Sequence, residues 1–218
     1  MSKSPTKRRV PRKKRDTAEL KGDILSAAVN AFARHGYEGA SLSDIAAQAK
    51  TQHPVILYHF ASKELLWRQA MARIFDELRA DLAAVADLSR DLSALDQFRL
   101  VIRTFVRFSS RNPARVTLIV LEMREGTDRL TWLMDEHLGH LLQRLNDLLD
   151  RVEQQGLVKP VPRHHLAYIL VGAVTTFFMA EPVVKRFFDV DVLEPDVVNA
   201  HADWIVDILL NGVMTGAA

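Results

Sequence analysis

Apolar residues recur along this chain at spacings of three and four, the pattern of helices that bury one face. Leu20, Ile24, Ala27, Ala28, Ala31 and Phe32 set out a first helix over about 17–35, with Gly36 where a left-handed C-cap belongs. Ser41 can cap a short helix whose apolar face carries Leu42, Ile45, Ala46 and Ala49. Asp44 follows three residues after the cap, close to a capping box. Lys50-Thr51-Gln52 breaks the pattern. A second short helix follows, with Pro54 in its first turn, where a missing N–H costs nothing, and with Val55, Ile56 and Phe60 as apolar positions. Ser62 then caps a helix that starts with Lys63 and Glu64 and continues past Arg79.

Beyond that point Pro and Gly punctuate further helices. One covers about 93–110, and Asn112-Pro113 opens another that ends near Arg124, before Gly126. A long amphipathic helix spans about 128–155, carried by Leu130, Leu133, Leu138, Leu141, Leu142, Leu145, Leu148, Leu149 and Val152. Residues 158–162 form a turn, 163–180 an apolar helix that Glu181-Pro182 ends or kinks, and 195–212 the last helix. No strand alternation of useful length and no internal repeat is present. The fold class expected is all-α.

Two helices of about two turns joined by a tight turn form a helix-turn-helix, whose second member enters the major groove of DNA. Residues 41–66 fit that plan. Taken with the helix before them, they resemble the DNA-binding domain of the TetR family of bacterial transcriptional regulators. The resemblance runs through Ala31-Phe32-Ala33-Arg34-His35-Gly36-Tyr37, Gly39-Ala40-Ser41, Asp44-Ile45-Ala46, Tyr58-His59-Phe60 and Ser62-Lys63-Glu64-Leu65-Leu66. Two positions depart from it. Lys50 stands where the family usually has glycine, at a cost on the order of 1 kcal/mol if the residue is left-handed. Leu57 stands where most members carry a tyrosine that touches the DNA backbone. Residues 182–213 also look like the tail common in these regulators, less specifically.

The resemblance implies a helix-turn-helix domain at 16–65 and a larger ligand-binding and dimerisation domain at 66–218, preceded by a basic arm at 1–15 whose polar composition, with Pro5 and Pro11, predicts disorder. It implies a sequence-specific regulator, a repressor released from a palindromic operator by a small apolar or aromatic ligand. The open alternative is a DNA-bound factor of the same fold that organises a protein partner and takes no ligand. His53, Val55, Gln52 and Ser43 are the candidates for base-edge contact. Ser41, Tyr58, His59 and Lys63 are those for the phosphate backbone, Lys63 also profiting from a helix N-terminus near phosphate.

Charge sharpens this picture. The net +2 hides a split: residues 1–65 carry twelve basic and six acidic side chains, and residues 66–218 carry 17 and 21. Eight of the basic residues lie in 1–15, with no acid among them. A basic end on a mildly acidic body fits phosphate binding joined to another task. An arm of this kind can follow the backbone or enter the minor groove. Cysteine is absent, so no disulfide or thiolate zinc site forms. No apolar run reaches the roughly 18–20 residues of a membrane span, and the N-terminus lacks a leader's apolar core. The compartment expected is the cytoplasm, with no membrane partner.

The helices at about 163–180 and 196–213 are too apolar to stand alone on a surface. Leu166, Ile169, Leu170, Val174, Phe177 and Phe178 line one, and Val197, Val198, Ile205, Ile208 and Leu209, with Trp204, the other. The resemblance implies a homodimer in which these two helices meet their partner-subunit copies. Gly172, Ala173, Ala200 and Ala202 permit close approach, and Ile205 and Leu209 are expected in the seam. A ligand cavity is expected among the helices from about 98 to 180. Phe105, Phe108, Met123, Trp132, Met134, Tyr168, Phe177 and Phe178 are its apolar candidates, and Arg103, Glu122, His137 and His140 its polar ones. His137/His140 and His164-His165 offer no convergent set of three or four ligands, so neither a metal nor another cofactor is expected. There is no phosphate-binding glycine loop, HExxH or GxSxG. An enzyme is not expected.

Overall fold

The computed structural model describes residues 16–213. The expectations for the arm at 1–15 lie outside these residues. Eleven helices follow in order among the described residues: α1 (Thr17–Gly39), α2 (Leu42–Gln48), α3 (His53–Phe60), α4 (Lys63–Leu88), α5 (Ala94–Arg111), α6 (Pro113–Glu125), α7 (Asp128–Leu133), α8 (Gly139–Gln154), α9 (Arg163–Met179), α10 (Glu181–Phe188) and α11 (Pro195–Val213). A π-helical turn, Met134–Leu138, joins α7 to α8. No strand is formed among these residues, and no single helix is long and apolar enough to cross a membrane.

Helix starts follow local hydrogen-bonding chemistry. The side chains of Asp16, Ser41, Ser62, Ser93 and Asn112 each accept a backbone N–H that the first turn would otherwise leave unpaired. Pro54 and Pro113 sit in first turns, as expected. Gly36 does not end α1. It adopts φ 68, ψ 174, a conformation open essentially to glycine alone, and kinks the helix before its last turn to Gly39.

Two apolar cores form. The first joins Ile24, Ala28 and Phe32 of α1 to Ile45, Ile56 and Phe60, to Leu66, Trp67, Met71, Ile74 and Phe75 of α4, and to Phe108, Val116, Leu118 and Leu133. The second joins α5, α8, α9 and α11 through Phe98, Ile102, Val106, Leu149, Val152, Leu170, Val174, Phe178, Ile205 and Leu209. Phe105 packs against both. The front half of α4 therefore belongs to the same core as the helix-turn-helix, and α6 also packs on α1.

Three expectations change. The helix over 128–155 contains a π turn. The helix over 163–180 bends by 66° where the kink at Glu181-Pro182 was expected, and a further helix, α10, follows that the pattern did not reveal. Ile205 and Leu209, expected in a subunit seam, are buried in the chain's own core, as is Ala202. The exposed apolar face carries Tyr168, Ile169 and Met179 of α9, Val183, Phe187 and Phe188 of α10, and Trp204 and Ile208 of α11. A two-sided apolar helix puts one stripe inside its own chain, so the stripe left outside is the one available for association.

Candidate nucleic-acid interface and effector region

Helix α3 is pinned from behind and free in front. Ile56 and Phe60, one turn apart, enter the first core, while Gln52, His53, Pro54, Leu57 and Tyr58 face outward. Tyr58 is 84% exposed. Val55 and His59 are half-buried, and the rings of Tyr58 and His59 meet edge-on at 5.0 Å. Gln52 makes no capping hydrogen bond with its side chain. Ser43, on α2, is exposed. Ser43, Gln52, His53 and Tyr58 are thus exposed on or beside two adjoining short helices, with Val55 and His59 half-buried among them.

Two of the expected contact residues are engaged inside the chain. The Ser41 hydroxyl accepts from the Ser43 N–H at 3.1 Å. Lys63 donates its Nζ to the Glu38 carbonyl at 3.1 Å and lies 4.7 Å from the centre of the Tyr37 ring. Its ammonium closes the end of α1 onto the start of α4.

The turn between α2 and α3 has the geometry the family's glycine serves. Lys50 adopts φ 53. Its N–H bonds to Ala47 O at 3.1 Å and the Thr51 N–H to Ala46 O at 2.9 Å, the two bonds of a Schellman motif with Lys50 at the left-handed position. Ala61, between α3 and α4, also has a positive φ, 62, but with ψ −40, and the Ser62 N–H bonds back to Phe60 O at 2.7 Å, closing a γ-turn. Both flanks of α3 thus hold a non-glycine residue at positive φ, a conformation that costs energy.

The expected effector residues divide into separate places. Trp132 and His137 touch, with ring centres 5.0 Å apart, and His137 stacks on Phe75 of α4 at 5.0 Å. Phe108 is in the same core and Phe105 beside it. Glu122 is 3% exposed and pairs with Arg129 at 3.2 Å; burial pushes its carboxyl above the usual range and Arg129 opposes that. Met123, next to it, is half-buried.

The others do not join this group. Tyr168 is exposed on the outer face of α9, and Phe177 stacks on His201 at 4.1 Å. Nine residues apart on one helix, these two lie on opposite sides and cannot share an interior. Arg103 pairs with Asp203 and borders an open groove of about 560 Å³ between α5 and α11, with Trp204 on its wall. His140 is exposed. His137, within the π turn, is buried.

Arg129 is the residue that pattern reading missed. It lies between Glu122 and Glu38 and its guanidinium stands 4.0 Å from the Tyr37 ring centre and 5.8 Å from that of Trp67. An isolated arginine after a glycine gives no periodic signal. Trp67 was legible only as one more apolar position, although it is wholly buried at the junction of α1, α4 and α7.

A sequence profile for bacterial regulatory proteins of the tetR family matches residues 24–70, and one described as tetracyclin repressor-like, C-terminal domain, matches residues 95–209. The HTH-type transcriptional regulator RutR of Escherichia coli (strain K12) is 25% identical over 205 residues, which cover 93% of this chain and 94% of that protein. The HTH-type transcriptional repressor NicS of Pseudomonas putida is 25% identical over 198 residues, covering 88% and 91%. Among solved structures, the ketosteroid transcriptional regulator KstR2 of Mycobacterium tuberculosis matches with a TM-score of 0.70 at 18% identity, over 90% of this chain and 95% of that one. The fatty acid degradation regulator FadR of Bacillus halodurans matches at 0.68 and 19%, over 92% and 98%. These two likenesses show the fold.

Proposed function

The chain belongs to the TetR family of bacterial transcriptional regulators, and from that membership we propose that it is a homodimeric repressor released from a near-palindromic operator by a small, largely apolar molecule. It is a DNA-binding transcriptional regulator with an N-terminal helix-turn-helix and a helical C-terminal domain. The observation that carries the proposal is the disposition of α3: Ile56 and Phe60 fix it to the core and leave Gln52, His53 and Tyr58 free to meet a groove. His53 and Gln52, at its N-terminal end, reach base edges, with Val55 and Ser43 beside them. Tyr58 and His59 serve the phosphates.

Residues 16–65 carry only four basic side chains against six acidic ones, and Lys63 is held by Glu38 and Tyr37. The attraction for phosphate therefore rests on the eight Lys/Arg of residues 1–15. The exposed apolar face of α9, α10 and α11, with Ile169, Phe187, Trp204 and Ile208 on it, is the surface for the second copy. Gly172, one turn from Tyr168 and Ile169 on α9, faces open space on the same side. Fluorescence anisotropy on operator DNA tests the reading. A dimer neutralising ~6–10 phosphates loses about 10³–10⁵ in affinity between 50 and 200 mM salt, and deletion of residues 2–15 weakens binding to every DNA sequence. A flat salt response overturns it. A melting-shift screen against metabolites, followed by operator release with each hit, tests the effector.

A further inference from the structure

Four buried polar atoms have no hydrogen-bond partner among the described residues: Trp67 Nε1, Arg68 Nε, Thr127 Oγ1 and His137 Nε2. Three of their side chains meet at Trp132. Its ring centre lies 5.8 Å from that of Trp67 and 5.0 Å from that of His137, and the Arg68 guanidinium stands 5.3 Å from it. An indole N–H and a guanidinium N–H can only donate. His137 joins them by its tautomer. Arg79 Nη1 lies 3.0 Å from His137 Nδ1; a guanidinium has no lone pair to offer, so Nδ1 accepts and the proton of the neutral ring sits on Nε2. Burial first, and then the Arg79 charge, hold the His137 pKa below its ordinary value and keep the ring neutral. Around one tryptophan the protein therefore presents three unpartnered donors, an arrangement that folds do not usually leave unmatched.

The charges around this place are already matched. Arg68 pairs with Glu64 at 2.6 Å, Arg79 with Asp76, and Arg129 with Glu122 at 3.2 Å. A buried anion would bring a charge with no counter-charge, at a desolvation cost. We propose, resting on the reading of the chain as an effector-released repressor, that the side chains around Trp132 form the subsite for a neutral, flat ligand presenting carbonyl oxygens or ring nitrogens as acceptors, an aromatic amide, ketone or heterocycle. Trp132 and Trp67 supply ring faces and edges, and the indole, imidazole and guanidinium N–H groups supply the donors.

The backbone is shaped for this. The π turn carries His137 to Phe75 of α4, and π turns recur at functional positions. Its closing bond runs from the Gly139 N–H to Met134 O. A Cβ on Gly139 would lie 2.7 Å from that oxygen, so the turn requires glycine there. The coupling to DNA is short: Trp67 is in the second turn of α4, which only Ala61 and Ser62 separate from α3. A ligand that draws on the Trp67 indole acts on the helix that holds α3 in place.

The full-length protein labelled with ¹⁵N on the tryptophan indoles tests the subsite, with Trp67→Phe assigning the Trp67 signal and benzamide, benzoate and benzylamine as probes. Benzamide should move the Trp67 indole proton downfield in a saturable way, and benzylamine should leave it unmoved. His137→Phe, which keeps a ring on Phe75 and removes the donor, should weaken benzamide at least tenfold while operator affinity and cooperative melting persist. Should His137→Phe not fold, the benzamide affinity of Trp67→Phe, read by melting shift, takes its place with the same expected loss. A Trp67 signal unmoved at the solubility limit of benzamide, an equal response to benzylamine, or stronger binding of benzoate than of benzamide overturns the proposal. Metabolites that release operator DNA without moving Trp67 overturn the subsite and spare the regulator. A Trp67 that responds to benzamide in a protein no metabolite releases from DNA does the reverse.

Discussion

Replacing Arg129 by Met removes the only cation that the buried Glu122 carboxylate touches among the described residues, while keeping most of the arginine's apolar stem. The side chains are 17% and 4% exposed, so the pair sits away from water. Breaking such a pair from one side costs about 3–5 kcal/mol, because the remaining charge is stranded. Loss of the guanidinium from the faces of Tyr37 and Trp67 adds to this. For a chain of this size that amounts to ~6–20 °C in Tm. The loss has a pH signature. Burial already raises the Glu122 pKa and Arg129 holds it down, so without Arg129 the folded value climbs further above the unfolded one. Between those values the folded state binds the extra proton, and stability rises as pH falls. The deficit against wild type should therefore shrink from pH 8 to pH 5, with a slope of at most about 1.4 kcal/mol per pH unit. Adding Glu122→Gln to Arg129→Met should restore more than half the loss at neutral pH. Urea unfolding followed by circular dichroism, at one fixed protein concentration, measures all three proteins. A loss under 1 kcal/mol, a deficit independent of pH, or no rescue by Glu122→Gln would refute the reasoning.

Other consequences are as direct. Lys50→Gly relieves the left-handed residue of the α2–α3 turn and should stabilise the protein by about 0.5–1 kcal/mol with operator binding intact; destabilisation in urea would contradict the assigned turn. Ile208→Arg, on the exposed face of α11, should give a helical, soluble monomer by light scattering. Ile205→Ala, in the core, should cost about 2–5 kcal/mol and leave the dimer; the opposite pattern would reverse the two faces. Burial pushes the pKa of both His137 and His201 down. The unfolded chain then takes up protons that the fold refuses, so stability should fall as pH drops below the ordinary histidine value. His137→Phe should flatten that acid limb, and an unchanged limb would remove His137 from it.

The helix-turn-helix was legible because its determinants are local. Ser41 and Ser62 as caps, Pro54 in a first turn, and Ile56 and Phe60 one turn apart are set by residues a few positions away. What escaped is geometry that periodicity does not carry. The π turn is held by Gly139 against Met134 O, and the 3.5–3.6 periodicity of 128–155 conceals it. Periodicity shows that α9 and α11 are apolar without saying which stripe turns inward, and so Ile205 and Leu209 were placed in the seam while Trp204 and Ile208 hold the outer face. Chemical type alone does not bring the expected effector residues together. Tyr168 and Phe177 lie on opposite sides of one helix, and the residue that ties Glu122 to Tyr37 and Trp67 is Arg129, which no pattern marks.

Selection of bound sites from a random pool of double-stranded DNA, with wild type and His53→Ala side by side, tests most directly that α3 reads an operator as one half of a symmetric pair. The account expects a near-palindromic motif for wild type, with half-sites ~34–36 Å apart or a multiple of it, two chains per site at the least, and relaxed preference at one position in each half-site for His53→Ala. A motif without two-fold symmetry, or a His53→Ala motif identical to wild type, would contradict it.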